Sequence, residues 1–357
     1  KDSSTPLWSY STGGDVRGIS ISADGKYIVA GSYDNKVYLF SKDSSTPLWS
    51  YTTGGIVWNV AISSDGEYIA AASADGKIYV FDKDSSTPLW SYETGDDAYG
   101  ISISADGEYI TAGTGYDNDT QQVLLFGKDS STPIWSYLVP EDSGVRKVSI
   151  SADGEYIVAG LYRGSVDNKV YLFNKDSGTP LWNYTAGSNV NAVAISADGE
   201  YIAIGSWDDK VYLFDKDSST PVWSYDTNGR IYSALDISAD GEYIVAGNGD
   251  GNVYLFDKDS STPLWSYTTG DSVRSAAISA DGKYIFAGSD DDNFYAFKNS
   301  LTSRPSVIPY GPRSGSEVED PVLRWFAGSD DRANLTFDVY FGTSSSSLTK
   351  VADDITT

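Results

Sequence analysis

An all-β fold of seven repeated sheets is predicted by three features of the sequence. Each repeat contains short β-branched and aromatic runs, which Asp-Gly and Asp-Asn turns separate as in hairpins. A period of 41 to 47 residues made only of strands is typical of the blades of a β-propeller. The segment KDSSTPLWSY marks each repeat, and with small changes it begins at Lys1, Lys42, Lys83, Lys128, Lys175, Lys216 and Lys258.

Each repeat predicts four strands, which we name a to d from the propeller axis outward. In the first repeat strand a is VRGISIS (16–22), strand b is YIVAG (27–31), and strand c is VYLF (37–40). Strand d is PLWSY (47–51), with the proline at its start, where a missing N–H is tolerated. Such a sheet has two apolar faces, so neighbouring sheets must stack against each other to bury them.

The phase of the repeats predicts how the ring closes. The chain begins with a d strand, Thr5 to Tyr10, and its last a, b and c strands, Val273 to Phe297, have no d strand after them. We therefore expect the N-terminal strand to complete the seventh four-stranded blade, which leaves no open sheet edge.

The repeat ends near residue 300, which predicts a propeller over 1–300 and a second segment over 301–357. Strand-like alternation follows at 321–327 (PVLRWFA), 335–342 (LTFDVYFG) and 348–355. An immunoglobulin-like sandwich needs about 100 residues, so this segment predicts only part of one. Either the natural chain continues, or strands from another chain complete the sandwich.

Composition narrows the classes of function. The chain has no Cys and no His, and its 50 acidic against 25 basic residues give a net charge of −25. This charge argues against nucleic-acid partners, and no hydrophobic run is long enough to insert into a membrane. No cofactor is required; a bound metal would be a hard, oxygen-liganded ion such as Ca²⁺. The absence of oxidisable Cys and Met suits an extracellular location.

One position at the start of strand a varies far more between repeats than its neighbours do. Arginine binds carboxylates and sulfates in a bidentate manner, and aromatic faces stack on sugars or cations. These residues predict either a ligand-binding channel mouth or a plug of mutually packed side chains. In blade order the position holds Arg17, Trp58, Tyr99, Arg146, Asn191, Tyr232 and Arg274.

The loop between strands b and c is the second variable position. It includes Trp207, and because strands reverse at each turn it opens on the same face as the d–a connection. Insertions at 113–122, 138–144 and 161–167 fall on this face too. Clustered insertions indicate a binding face, with neutral loop drift as the alternative.

Other motifs have simpler interpretations. The tryptophan repeated in every d strand predicts packing between blades. The acidic runs 117–119 and 290–292 could offer oxygen ligands to calcium, although neither matches an EF-hand loop. Carboxylates in the c–d connection are expected to be solvated. Three sequons make Asn118, Asn183 and Asn334 candidate glycosylation sites.

Two motifs carry a resemblance to known families. SADGEYIVAGSxDNKVYLF resembles the core of WD-repeat blades, and KDSSTPLWSYTTG resembles the tryptophan motif of PQQ-like blades. Together they are similar to propellers of prokaryotic, particularly archaeal, cell-surface proteins. The pattern PVLRW…LTFDVYFGTSS resembles the first part of a fibronectin type III or Ig-like domain.

These observations favour a non-enzymatic, extracellular or cell-surface binding or adhesion module. Its partner would be a protein, a glycan or other copies of itself, captured at the mouth formed by the d–a and b–c loops. The alternative is a purely structural spacer, or a self-assembling surface-layer or filament subunit. A PQQ-type dehydrogenase fits less well because the vicinal Cys pair that the resemblance implies is absent. A glycan-active enzyme would need a carboxylate pair, and none is recognisable at the variable positions.

Overall fold

The computed structural model describes residues 6–115, 120–139, 143–162, 168–300, 336–341 and 349–356, and all secondary structure in these ranges is β. The chain divides into two compact units, Lys1–Phe297 and Lys298–Thr357. Strands of the first four sheets are β1 (Val16–Ile21), β2 (Tyr27–Ser32), β3 (Lys36–Ser41), β4 (Trp49–Thr52), β5 (Val57–Ile62), β6 (Tyr68–Ser73), β7 (Lys77–Asp82), β8 (Trp90–Glu93), β9 (Ala98–Ile103), β10 (Tyr109–Thr114), β11 (Gln122–Gly127), β12 (Trp135–Leu138), β13 (Gly144–Ile150), β14 (Tyr156–Tyr162), β15 (Lys169–Asn174) and β16 (Ser177–Thr185). Strands of the next three are β17 (Val190–Ile195), β18 (Tyr201–Ser206), β19 (Lys210–Asp215), β20 (Trp223–Asp226), β21 (Leu235–Ile237), β22 (Tyr243–Gly247), β23 (Asn252–Asp257), β24 (Trp265–Thr268), β25 (Val273–Ile278), β26 (Tyr284–Ser289) and β27 (Phe294–Lys298).

Each sheet is an antiparallel meander in which the strands pair in chain order. The first strands of successive sheets contact one another, from β1 against β5 through to β21 against β25. Strand a is therefore innermost, and the seven sheets are the blades of a propeller. The prediction of an all-β, seven-bladed propeller is confirmed.

The cores lie between neighbouring blades. Val29 and Leu39 of the first blade pack against Ile69 and Phe81 of the second, and all four are fully buried. Burying such a side chain stabilises the fold by about 1.5–3 kcal/mol, so the alternating apolar faces that the repeat prescribes account for the stacking.

The tryptophan of each d strand joins its blade to the next one. The Trp49 ring lies 5.2 Å from the Phe81 ring, and its Nε1–H donates to the Lys83 carbonyl at 2.7 Å. The prediction that these tryptophans pack between blades is confirmed. The same indole-to-lysine hydrogen bond is made by Trp90, Trp135, Trp182 and Trp223.

A second tie between blades involves the turn after strand b. The Tyr79 hydroxyl donates to Asp75 at 2.6 Å, and the same carboxylate accepts the Gly54 backbone N–H from the preceding blade at 2.6 Å. Burial, and then the hydrogen bond to Asp75, raise the pKa of Tyr79. The turn is thus fixed to the d–a connection beside it.

The N-terminal segment packs on the first blade in the same way that the d strand of each blade packs on the blade that follows it. Trp8 stacks on Phe40 at 5.4 Å and donates from Nε1 to the Lys42 carbonyl at 2.7 Å. The Gly13 N–H donates to Asp34 at 2.8 Å, as Gly54 does to Asp75. The segment therefore makes the contacts on the first blade that a d strand makes on the blade that follows it.

The seventh sheet contains three strands, β25, β26 and β27, within the part of the chain that the structure describes. Residues 6–10 are not in strand conformation there, so their pairing with β27 as a fourth strand stays a prediction. Ile19 on β1 is 68% exposed and Phe294 on β27 is 70% exposed, whereas their counterparts Val60 and Val37 are buried. Closing this seam would bury both side chains, which favours the predicted pairing.

In the second unit, β28 (Thr336–Phe341) and β29 (Thr349–Thr356) form an antiparallel pair. They match two of the strands that the sequence predicts there, and the third, 321–327, lies outside the described residues. A two-stranded sheet does not define an immunoglobulin-like sandwich, so that domain remains a prediction.

Candidate functional site

Six of the seven variable residues at the start of strand a occupy β-bulges, and the seventh, Tyr232, precedes β21 and lies outside the ladder. Val16 pairs with Ser32 and Gly18 pairs with Gly31, so Arg17 has no partner in the ladder. A bulge leaves the extra residue unpaired and redirects its side chain. This explains why the position varies while its neighbours do not. The same register shift occurs at Trp58, Tyr99, Arg146, Asn191 and Arg274.

The residue before each bulge is constrained by the neighbouring blade. Val145 is fully buried, and a Cβ added to Gly113 of the preceding blade would lie 2.5 Å from its Cγ1. Val57 holds the same position against Gly31 at 2.6 Å. The close contact between this valine and the glycine of the neighbouring blade therefore restricts the residue before the bulge. The bulged residue itself makes no such contact and can differ between repeats.

Arginine and aromatic side chains form a first arc over blades 1 to 3. The Arg17 guanidinium lies 4.5 Å from the Tyr33 ring centroid. Tyr33 meets Trp58 edge-on at 5.5 Å, and Trp58 lies 5.4 Å from Tyr99. The predicted residues of three blades are thus brought together through Tyr33, a b–c loop residue.

A second arc runs over blades 4 to 7. The Arg146 guanidinium lies 4.7 Å from the Tyr162 ring, which meets Trp207 at 5.5 Å. Trp207 meets Tyr232 at 5.9 Å, and the Arg274 guanidinium lies 4.4 Å from the Tyr232 ring. We call the two arcs together the mouth.

The arginines at the mouth differ in their ion pairing. Arg274 donates from Nε to Asp290 at 2.6 Å, and Arg17 lies 4.0 Å from Asp15. Arg146 and Arg230 have no carboxylate partner within the described ranges; each is exposed and lies over an aromatic ring, Arg230 over Trp207 at 5.2 Å. Stacking holds these guanidinium groups in place while their N–H groups stay open to a ligand.

Arginine is concentrated on this face of the propeller. The first 300 residues contain five arginines, of which Arg17, Arg146, Arg230 and Arg274 belong to the mouth or contact it, and Arg163 lies outside the described residues. Many lysines elsewhere are paired with carboxylates, as Lys83 is with Glu67 at 2.8 Å. The arginines of the propeller are therefore concentrated on one face of a protein with a net charge of −25.

Unsatisfied buried polar atoms lie at the mouth as well. In the part of the chain that the structure describes, the buried side-chain atoms without a hydrogen-bond partner are Trp58 Nε1, Trp207 Nε1, Ser143 Oγ and both amide atoms of Asn191. Native proteins pair nearly all such groups, so each exception needs an explanation. Asn191 is fully buried, so it lies beneath the exposed surface of the mouth.

A cleft of about 300 Å³ opens beside Arg230 between blades 5 and 6. It is lined by Arg230 and Tyr232 together with Asp209, Asn228 and Asp250. Sequence comparison between repeats did not single out Arg230, Asp209 or Asp250. The detectable signal was the atypical segment TNGRIYSALD, which carries one residue more before strand a than five of the other repeats.

The remaining candidate sites fall in different places. Asn183 is exposed on β16, whereas Asn118 and Asn334 lie outside the described residues. Within the described ranges no three acidic side chains converge as a metal site. Asp290 is paired with Arg274, and Asp291 accepts the Tyr295 hydroxyl. The run 117–119 lies outside the described residues, so calcium binding there stays a prediction.

The fold defines a propeller scaffold, and arginines and aromatic rings gather on one of its faces. A family model described as "Outer membrane protein assembly factor BamB" matches residues 1–159, 52–189 and 166–320. The chain belongs to this PQQ-like repeat family, which confirms that part of the predicted resemblance. No curated protein matches the chain. The described residues include no helix that is long and apolar enough to span a bilayer.

Proposed function

We propose that this protein is a binding module that captures a protein or glycan partner at the mouth. One observation carries the proposal: unpaired arginines and unsatisfied buried polar atoms coincide on one face. Buried polar groups without partners destabilise a fold, and a ligand, directly or through water, would satisfy them.

A location at the cell surface is part of the same proposal. The matching family model carries the words "outer membrane" in its description, which supports a role at a cell envelope. The net charge of −25 suits a solvent-exposed protein. The segment after residue 300, whose sequence resembles immunoglobulin-like modules of surface proteins, supports the same location.

The binding proposal is tested by removing charge from the mouth. We expect the triple variant R17Q/R146Q/R274Q to lose retention on purified cell envelopes, because three guanidinium groups that could pair with anions are gone. The matched control, K26Q/K83Q/K258Q, removes three charges from the opposite ends of the sheets and should be retained like the parent. Equal retention of both variants would reject the mouth as the site.

A structural role is the second candidate, and the seam between the first and seventh blades favours it. Ile19, Ile21 and Phe294 are more than half exposed there. If the N-terminal strand does not close this seam within one chain, these apolar side chains would promote association between chains. Self-assembly would give a concentration-dependent mass in light scattering, measured with and without calcium. A constant monomer mass at high concentration in both conditions would contradict this role.

We propose no catalytic step. The chain has no Cys or His, and the mouth gathers arginines and aromatic rings rather than an acid–base pair. Its chemistry is suited to holding anionic and hydroxyl groups.

A further inference from the structure

We propose that the cleft beside Arg230 binds one anionic sugar unit of an acidic saccharide. This inference rests on the proposed function, since it assigns a ligand class to part of the mouth. The cleft, about 300 Å³, is at the lower end of the range of pockets that hold small organic ligands. Its residues belong to blades 5 and 6.

The Arg230 guanidinium is positioned to bind an anion. The Arg230 guanidinium lies 5.2 Å from the Trp207 ring centroid and has no carboxylate partner among the described residues. Its side chain is exposed, so the planar N–H fork can bind a carboxylate or sulfate through two hydrogen bonds. The indole face fixes the fork and so reduces the entropy lost on binding.

The other polar groups of the cleft favour hydroxyl groups. The Asp209 and Asp250 side chains line it and have no hydrogen-bond partner in the described ranges. A carboxylate is acceptor-only, so it attracts donors such as sugar hydroxyls. Two carboxylates beside one arginine therefore match a ligand with one anionic group and several hydroxyl groups.

These carboxylates disfavour the competing ligand class, an acidic peptide. A run of Glu or Asp side chains would place like charges opposite Asp209 and Asp250, which is destabilising. A uronate or sulfated sugar carries its negative charge at intervals, with neutral hydroxylated carbons between.

The backbone around the cleft is held in a defined shape. Asp209 and Asn228 have φ values of 69° and 58°, in the left-handed region. The Thr227 hydroxyl contacts the carbonyls of Asp209 and Gly229 at 2.8 and 2.7 Å. These bonds join the turn of blade 5 to the d–a connection that carries Arg230, so the cleft exists before a ligand binds.

The test is calorimetric titration of the full chain with three probes: an oligogalacturonate, its neutral counterpart oligogalactose, and a Glu-rich peptide. We expect binding of the oligogalacturonate alone, weakened at least tenfold by Arg230→Gln and weakened further by salt. Lys283→Gln, on the opposite face, is the control and should bind like the parent. Thermal unfolding of both variants checks that the fold is kept.

A second variant separates the two proposals. Arg146→Gln removes a mouth arginine that does not line the cleft, so it should weaken oligogalacturonate binding at least fivefold less than Arg230→Gln does. If neutral sugar or peptide binds and Arg146→Gln abolishes that binding, the mouth functions but the assigned ligand class is wrong. If no probe binds, or if neither substitution changes the binding of any probe, the proposed saccharide site is wrong. The retention of R17Q/R146Q/R274Q on cell envelopes then shows separately whether the mouth binds a partner.

Discussion

Replacing Trp223 tests the interface that the repeated tryptophan forms between blades. Its side chain is 9% exposed, its ring lies 5.2 Å from Phe256, and Nε1 donates to the Lys258 carbonyl at 2.8 Å. Truncating a buried tryptophan to alanine costs about 3–5 kcal/mol. The carbonyl left without its donor adds about 1 kcal/mol, so we expect Trp223→Ala to lower the free energy of unfolding by about 4–6 kcal/mol.

Trp223→Phe separates the two contributions, because it keeps an aromatic ring against Phe256 and removes only the N–H donor and part of the ring. We expect a loss of about 1–2 kcal/mol. Urea unfolding followed by far-ultraviolet circular dichroism measures both values. The adjacent Val222 is 52% exposed, and Val222→Thr should change stability by less than about 0.5 kcal/mol. If Trp223→Ala were as mild as Val222→Thr, the tryptophan would not hold the blades together.

Two further predictions concern positions inside the propeller. Gly113→Ala should destabilise the fold by about 1–3 kcal/mol in urea unfolding, because the new Cβ would lie 2.5 Å from Val145 Cγ1. Gly127→Ala, whose nearest contact is 3.9 Å away, is the control and should be nearly neutral. Burial raises the pKa of Asp236 to about 6 from 3.8, against hydrogen bonds from the Ile278 and Ile237 N–H groups. Because this pKa is raised, the contribution of Asp236 to stability is greatest below pH 3.8 and is lost as pH rises to 6. The advantage of Asp236→Asn in unfolding free energy should then grow by up to about 3 kcal/mol between pH 4 and pH 7; a pH-independent difference would contradict this.

The blades could be predicted from the sequence because their determinants are local and repeated. Alternating apolar residues, Asp-Gly turns and the d-strand tryptophan each predict one local contact. A single repeat would leave the assignment of its strands ambiguous, but seven repeats with the same pattern do not. The variable position before strand a could be found in the same way, by comparing repeats within the chain. Its cause, a bulge opposite Ser32 and Gly31 in the first blade, depends on strand register, which the residue pattern alone does not fix.

The composition of the mouth could be predicted only in part. Seven variable positions were visible in the sequence, but the stacking of Arg146 on Tyr162 depends on how strand a and the b–c loop are spaced. Asn191 was predicted among the residues of the mouth, but its complete burial could not be predicted from its residue type. Arg230 lies in an atypical repeat, so comparison between repeats did not align it with a variable position.

Ring closure by the N-terminal strand is the central claim of this account, and a disulfide tests it directly. By analogy with the observed pair Lys36 and Thr52, the closing strand should place Ser11 opposite Asn293. Since the chain has no Cys, the double variant Ser11→Cys/Asn293→Cys can form only that bond, with Lys36→Cys/Thr52→Cys as the positive control. Mass spectrometry of the oxidised monomer should show an intramolecular disulfide in both variants. Free thiols or intermolecular dimers in the Ser11/Asn293 variant alone would contradict closure.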